Sequence, residues 1–109
     1  MRHIITTGLF AAFAISGNAV YADTEQLQSL LLKNNCLACH MIDKRKYGPI
    51  LREVSAKYAG DATATDKLIA KIKSGGTGVW GEDIMPPQPQ VTEVEAKQIV
   101  ELILSLPPK

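Results

Sequence analysis

The chain has 109 residues, with 12 Lys and Arg set against 11 Asp and Glu, two cysteines and one tryptophan. That length allows one small domain, and the near-neutral charge excludes a nucleic-acid binder, which carries a basic stripe. A domain this small buries a modest share of its surface and gains from a metal, a disulfide or a large apolar cofactor.

Residues 1–22 read as a leader. Arg2 is its only charged residue, an apolar run from Ile4 to Ile15 follows, and Val20-Tyr21-Ala22 offers a small-residue cleavage point before Asp23. The run covers 12 residues and is interrupted by Thr6, Thr7 and Gly8, short of the roughly 17–25 that a membrane-spanning helix needs. The expectation is therefore a signal peptide over 1–22, removed on export, and one domain over 23–109. Without Arg2 that domain carries equal numbers of cationic and anionic side chains, and its aromatics are Tyr47, Tyr58 and Trp80.

From Asp23 onward the apolar spacing is helical and no stretch alternates as a strand does, so the fold class expected is all-α. The first helix should start near Asp23 or Thr24, present Leu27, Leu30 and Leu31 on one face, and end near Asn34-Asn35. A second follows Pro49, whose fixed φ suits a first helical turn, with Leu51, Val54 and Tyr58 on one side and Gly60 to stop it. The third spans about 65–74, with Leu68, Ile69 and Ile72 as its apolar face and Gly75-Gly76 as its end. Residues 77–90 hold Gly78, Gly81, Pro86, Pro87 and Pro89, so they form a shaped loop whose length itself points to function. The last helix opens on Thr92-Glu93-Val94-Glu95, a capping box in which Thr92 and Glu95 satisfy each other's backbone donors. It buries Ala96, Ile99, Val100, Ile103 and Leu106 and stops at Pro107-Pro108.

Cys36-Leu37-Ala38-Cys39-His40 carries the chemistry, because Cys-x-x-Cys-His is the attachment pattern of c-type haem. Two thiols separated by two residues on one helical turn can add to the two vinyl groups on one edge of a porphyrin, while the next residue brings an imidazole under the iron. A disulfide and a thioredoxin-like pair share the Cys-x-x-Cys spacing, but neither explains His40, and the second belongs after a βαβ pattern that this chain lacks. A zinc site needs four ligands, and beyond the leader there are only these cysteines and one histidine. His40 is then the proximal iron ligand.

For the opposite face of the iron no histidine is left, since His3 belongs to the leader. Met41 adjoins His40 and cannot reach across the ring. Met85 can: it sits in the long loop, where Pro86 and Pro87 stiffen the backbone and reduce the entropy lost in fixing the thioether. His/Met ligation favours ferrous iron, raises the potential and leaves no open position for a substrate.

These strings resemble the class I c-type cytochromes, in particular the short monohaem subtype of denitrifying and ammonia-oxidising bacteria. The resemblance covers Asp23 to about Leu106. It rests on Lys33-Asn34-Asn35-Cys36-Leu37-Ala38-Cys39-His40, Tyr47-Gly48-Pro49, Ala56-Lys57-Tyr58-Ala59-Gly60, Ile72-Lys73-Ser74-Gly75-Gly76, Gly78-Val79-Trp80-Gly81 and Met85-Pro86-Pro87. It implies about four helices around one haem c joined through Cys36 and Cys39, with the first and last helices crossing. It also implies that Pro49 offers its carbonyl to the far nitrogen of His40, and that Trp80 packs on the haem with its indole N–H toward a propionate. Two positions depart from the family: Gln88 stands where Asn often follows Met-Pro-Pro, and Glu101 where many members have a tryptophan.

The function expected is a soluble periplasmic single-haem electron carrier, monomeric and not an enzyme. Its partners are a redox-protein donor and acceptor, with a nitrite reductase or a terminal oxidase as candidates, and neither a nucleic acid nor a membrane anchor. Competing readings are a haem subunit of a periplasmic oxidoreductase, a ligand-binding cytochrome with open iron, and a thiol-disulfide oxidoreductase using Cys36 and Cys39. Docking is expected at the exposed haem edge, with Lys44, Arg45 and Lys46 as the densest basic run.

Overall fold

Helix formation follows the apolar spacing. The computed structural model describes residues 8, 9, 11, 12 and 17–107, with side chains in the last span from residue 23. It holds α1 (Gly17–Lys33), a single 3₁₀ turn (Cys36–Ala38), α2 (Leu51–Lys57), α3 (Ala64–Ser74) and α4 (Glu93–Leu104). Among the described residues the only β-type pairing is an isolated bridge between Gly76 and Met85, and the fold is all-α.

The fourth helix packs against each of the other three. It can do so because Ala96, Ile99, Val100 and Ile103 line one side of it and are all buried, joined just past its end by Leu106. Leu27 and Leu31 of α1 meet this face, as do Leu51 and Val54 of α2. Burying each such aliphatic side chain contributes about 1.5–3 kcal/mol. Leu30 is half-buried at the edge, and so are Leu68, Ile69 and Ile72, which leaves Ala64 as the one buried residue of α3. Glu101 faces solvent and pairs with Lys97 one turn earlier.

Three local readings need correction. The first helix starts at Gly17 rather than at Asp23 or Thr24, and so runs across the expected cleavage point. In the uncut chain nothing between Gly17 and Thr24 breaks a helix, and a capping side chain acts only where the preceding backbone is already outside it. Residues 1–7, 10 and 13–16 of the leader lie outside the described residues, as does Pro108. Second, Pro49 is not in the first turn of α2: Ile50 is the N-cap. The N–H groups of Leu51 and Arg52 are taken instead by the carbonyls of Met41 and Ile42, at 3.0 and 3.2 Å, which satisfies helix donors without a side-chain cap.

Third, the capping box is half made. Thr92 Oγ1 accepts from Glu95 N at 3.1 Å, but the Glu95 carboxylate turns to α1, pairing with Lys33 and accepting from Asn34 Nδ2 at 2.8 Å. A tertiary partner of opposite charge outcompetes a local backbone donor. At the other end of α4, the buried Ser55 hydroxyl lies 2.8 Å from the Leu106 carbonyl and 3.2 Å from that of Leu104, closing the helix onto α2. No helix among the described residues is long and apolar enough to cross a membrane.

Candidate functional site

The Cys-x-x-Cys-His string forms one tight turn. Asn35 adopts a left-handed φ of 63° and ends the run from α1, a conformation that Asn tolerates better than most residues. The Cys36 carbonyl then accepts from both Cys39 N (3.1 Å) and His40 N (2.9 Å), which winds both thiols and the imidazole around a single turn. Both cysteines are half-buried free thiols. Burial pushes the Cys36 thiol above its ordinary pKa, a backbone hydrogen bond opposes this, and Cys39 adds a further rise. A thiol-disulfide oxidoreductase needs the reverse, a nucleophilic cysteine with a lowered pKa.

The His40 ring is held from two sides. Its Nδ1 lies 3.1 Å from the Pro49 carbonyl. A carbonyl only accepts, so Nδ1 carries the proton and Nε2 keeps a lone pair for a metal, the usual arrangement of a metal-bound imidazole. On the other side stands Gly48, where a Cβ would come within 2.4 Å of His40 Cε1. Gly48 N in turn donates to the Cys39 carbonyl at 2.8 Å, tying this support to the cysteine turn.

Met85 comes from the opposite wall. The bridge to Gly76 makes two hydrogen bonds of 2.9 Å, one in each direction, and fixes the backbone of Met85 beside the end of α3. Gly75 is what permits that approach: a Cβ there would meet the Met85 carbonyl at 2.3 Å, and its φ is +67°. Within the loop, the Thr77 hydroxyl lies among the carbonyls of Gly81, Glu82 and Asp83, at 3.4, 3.0 and 3.2 Å. Trp80 is half-buried, with the Lys57 ammonium 5.2 Å from its ring centroid, a cation–π distance.

These walls face one cleft, open on one side, whose empty space counted out to the solvent at its mouth is about 1300 Å³. Cys36, Cys39, His40, Pro49, Trp80 and Met85 all line it, and Met41, 40 % exposed, does not. The rest of the wall is mainly aliphatic, with Leu31, Val54, Leu68, Ile72 and Ile99 reaching in from the four helices. Leu68 and Ile72 therefore escape full burial because they face this space. The donor set suits a haem: paired thiols on one turn, an imidazole with its lone pair free, a thioether on the facing wall and an apolar slot between. Sequence reasoning passed over Gly48 except as part of a familiar string; its signal was a glycine directly before the proline that orients His40. It also missed Lys71, from the last turn of α3, which brings a cation to the otherwise mainly apolar wall.

Comparison with known proteins gives the family and the fold. Residues 24–107 match the Cytochrome c family. The chain is 39% identical over 100 residues to cytochrome c-552 of Nitrosomonas europaea, covering 92% of this chain and 97% of that protein. It is 49% identical over 78 residues to cytochrome c-551 of Azotobacter vinelandii, covering 72% and 94% respectively. The crystal structure of wild-type Nitrosomonas europaea cytochrome c552 superposes with a TM-score of 0.71 at 42% identity, over 73% of this chain and 99% of the other.

Proposed function

The chain belongs to the cytochrome c family, and we propose that it is a periplasmic electron carrier whose haem iron is held between His40 and Met85. Proteins of this family carry electrons on a covalently bound haem c and are not enzymes; here Cys36 and Cys39 stand at the attachment positions. When bound, the haem supplies a one-electron couple. The residues of the chain decide how that couple behaves. Nε2 of His40, with its tautomer set by Pro49, is the nitrogen donor. The sulfur of Met85 is the soft neutral donor that favours the reduced state and fills the last position. The aliphatic wall keeps water away, which also disfavours the higher charge of the oxidised state.

The observation that carries this reading is that one cleft gathers Met85 with Cys36, Cys39 and His40 while excluding Met41. Signal cleavage after Ala22 and passage to the periplasm are supported by the leader pattern. In the cut chain α1 would begin at Asp23, where an acidic side chain suits a helix N-terminus. The partner is a redox protein. Tyr47, Val79 and Ile84 line the cleft and are 68%, 46% and 75% exposed; they form the apolar rim on which such a partner would dock.

Substitution at the two methionines tests the ligation. Met85→Ala should open the iron to added ligands and lower the potential, whereas Met41→Ala should do neither. If the oxidised wild type lacks a sulfur-to-iron charge-transfer band, or Met85→Ala keeps it, the ligand is another group.

A further inference from the structure

The loop that carries Met85 is tied to the cysteine side of the cleft through a chain of amides. Gln90 Nε2 donates to the main-chain carbonyl of Asn34 at 3.1 Å, and Asn34 lies two residues ahead of Cys36. The same nitrogen donates its other hydrogen to Gln88 Oε1 at 2.7 Å. Gln88 Nε2 then reaches the carbonyl of Pro86 at 3.0 Å, next to Met85. Gln88 is further anchored through its backbone N–H, 2.9 Å from the Ile72 carbonyl.

Asn34 is a firm post for this tie. It is 4% exposed, and its own amide is fixed by the Leu30 carbonyl at 3.0 Å and by Glu95 at 2.8 Å. Among the described residues its carbonyl accepts one other hydrogen bond, from the Cys36 thiol at 3.8 Å. That thiol hydrogen is consumed when the cysteine becomes a thioether. In the haem-loaded protein the Gln90 amide therefore remains as the partner of this carbonyl, and a buried carbonyl left without one is costly.

We propose that Gln90 is a positioning residue for Met85, holding the methionine loop to the cysteine turn so that the thioether stays on the iron. The proposal rests on the reading of Met85 as ligand. It concerns a bond that breaks and re-forms: a foreign ligand binds only while the sulfur is away, so its apparent affinity scales with the fraction of time the loop is open. Gln90 acts on that fraction without touching haem or iron.

The test is titration of the oxidised, haem-loaded protein with imidazole, following the shift of the main haem absorption band, for wild type, Gln90→Ala, Gln90→Glu and Met85→Ala. Gln90→Glu keeps the length of the side chain but cannot donate at neutral pH. Both Gln90 variants should bind imidazole about 2–10-fold more tightly than wild type, the equilibrium weight of one neutral hydrogen bond. Their unfolding midpoint in denaturant should fall slightly, because this hydrogen bond is lost in the open loop and in the unfolded chain alike. If Met85→Ala gains imidazole affinity while Gln90→Glu binds as wild type does, the positioning role is overturned and the ligation stands. An equal gain in Ser55→Ala, which loses the hydroxyl contacts with the Leu104 and Leu106 carbonyls at the end of α4, also overturns it, since any loss of global stability then opens the loop. If Met85→Ala gains nothing, the ligation reading falls and takes this role with it.

Discussion

The imidazole of His40 is constrained by single atoms on either side: a carbonyl oxygen that accepts from Nδ1, and the missing Cβ of Gly48. The glycine is not needed for backbone freedom, since its φ lies outside the left-handed region occupied by Gly60, Gly75, Gly76, Gly78 and Gly81. Room alone requires it. Gly48→Ala should therefore push the ring off the Pro49 carbonyl at an overpacking cost of about 1–3 kcal/mol. Intact mass should still show covalent haem, because Cys36 and Cys39 are untouched, while the absorption spectrum loses its uniform low-spin character. An unchanged spectrum would mean that the loop shifts to make room and that Gly48 does not hold the ligand.

Among the helices, the junction of α1 with α4 depends on one carboxylate. Glu95 accepts from Lys33 and Asn34, and these hydrogen bonds hold its pKa below the ordinary glutamate value. A depressed folded-state pKa means that the unfolded chain takes up the proton first. The stabilisation is then fully present above the ordinary value, about 4.3, and is lost as the pH falls through the lower folded value. Glu95→Gln should lower the denaturant midpoint at pH 7, and its gap from wild type should close as the pH drops below about 4.3. A gap that stays constant over that range would assign the effect to packing. Asp61 titrates in the same direction, held down by Thr63 and Lys67 at the start of α3, so some acid sensitivity should remain in the variant.

Over the whole molecule, charge gives little long-range direction. The basic run that the sequence offers for docking is largely engaged within the chain. Lys46 donates to the Leu37 carbonyl at 3.3 Å, Arg45 lies 3.9 Å from Asp83, and the adjacent Asp43 pairs with Arg52. Of the three cations Lys44 alone has no such partner among the described residues. Net charge on the domain is near zero, and steering fades beyond about 8 Å at physiological salt. The electron-transfer rate with a redox protein should therefore change less than about tenfold between low and physiological salt, well short of strongly steered pairs. Replacing Lys44, Arg45 and Lys46 by Gln should flatten the remaining dependence, measured as rate against ionic strength for both proteins. A steep fall with salt in the triple variant would place the steering charge elsewhere on the surface.

The all-α class, the helix faces and the attachment motif were legible in the sequence because each depends on residues near one another along the chain. Ala96, Ile99, Val100 and Ile103 announce a buried stripe by spacing alone, and Cys36, Cys39 and His40 fit within one turn. Met85 stood out by elimination as a candidate donor, since the domain offers few others, and the structure brings it to the cleft wall. What the tertiary structure decided involves partners far apart in sequence. Glu95 abandons its local cap for Lys33, 62 residues away. Leu68 and Ile72 read as core but face the cleft, because an apolar stripe looks the same whether it meets a helix or a cofactor. Pro49 is spent on orienting His40 rather than on starting α2. The Gln90 tie to Asn34, across 56 residues, has no sequence signal at all, because a polar residue in a loop acquires a role only when folding brings an acceptor within reach.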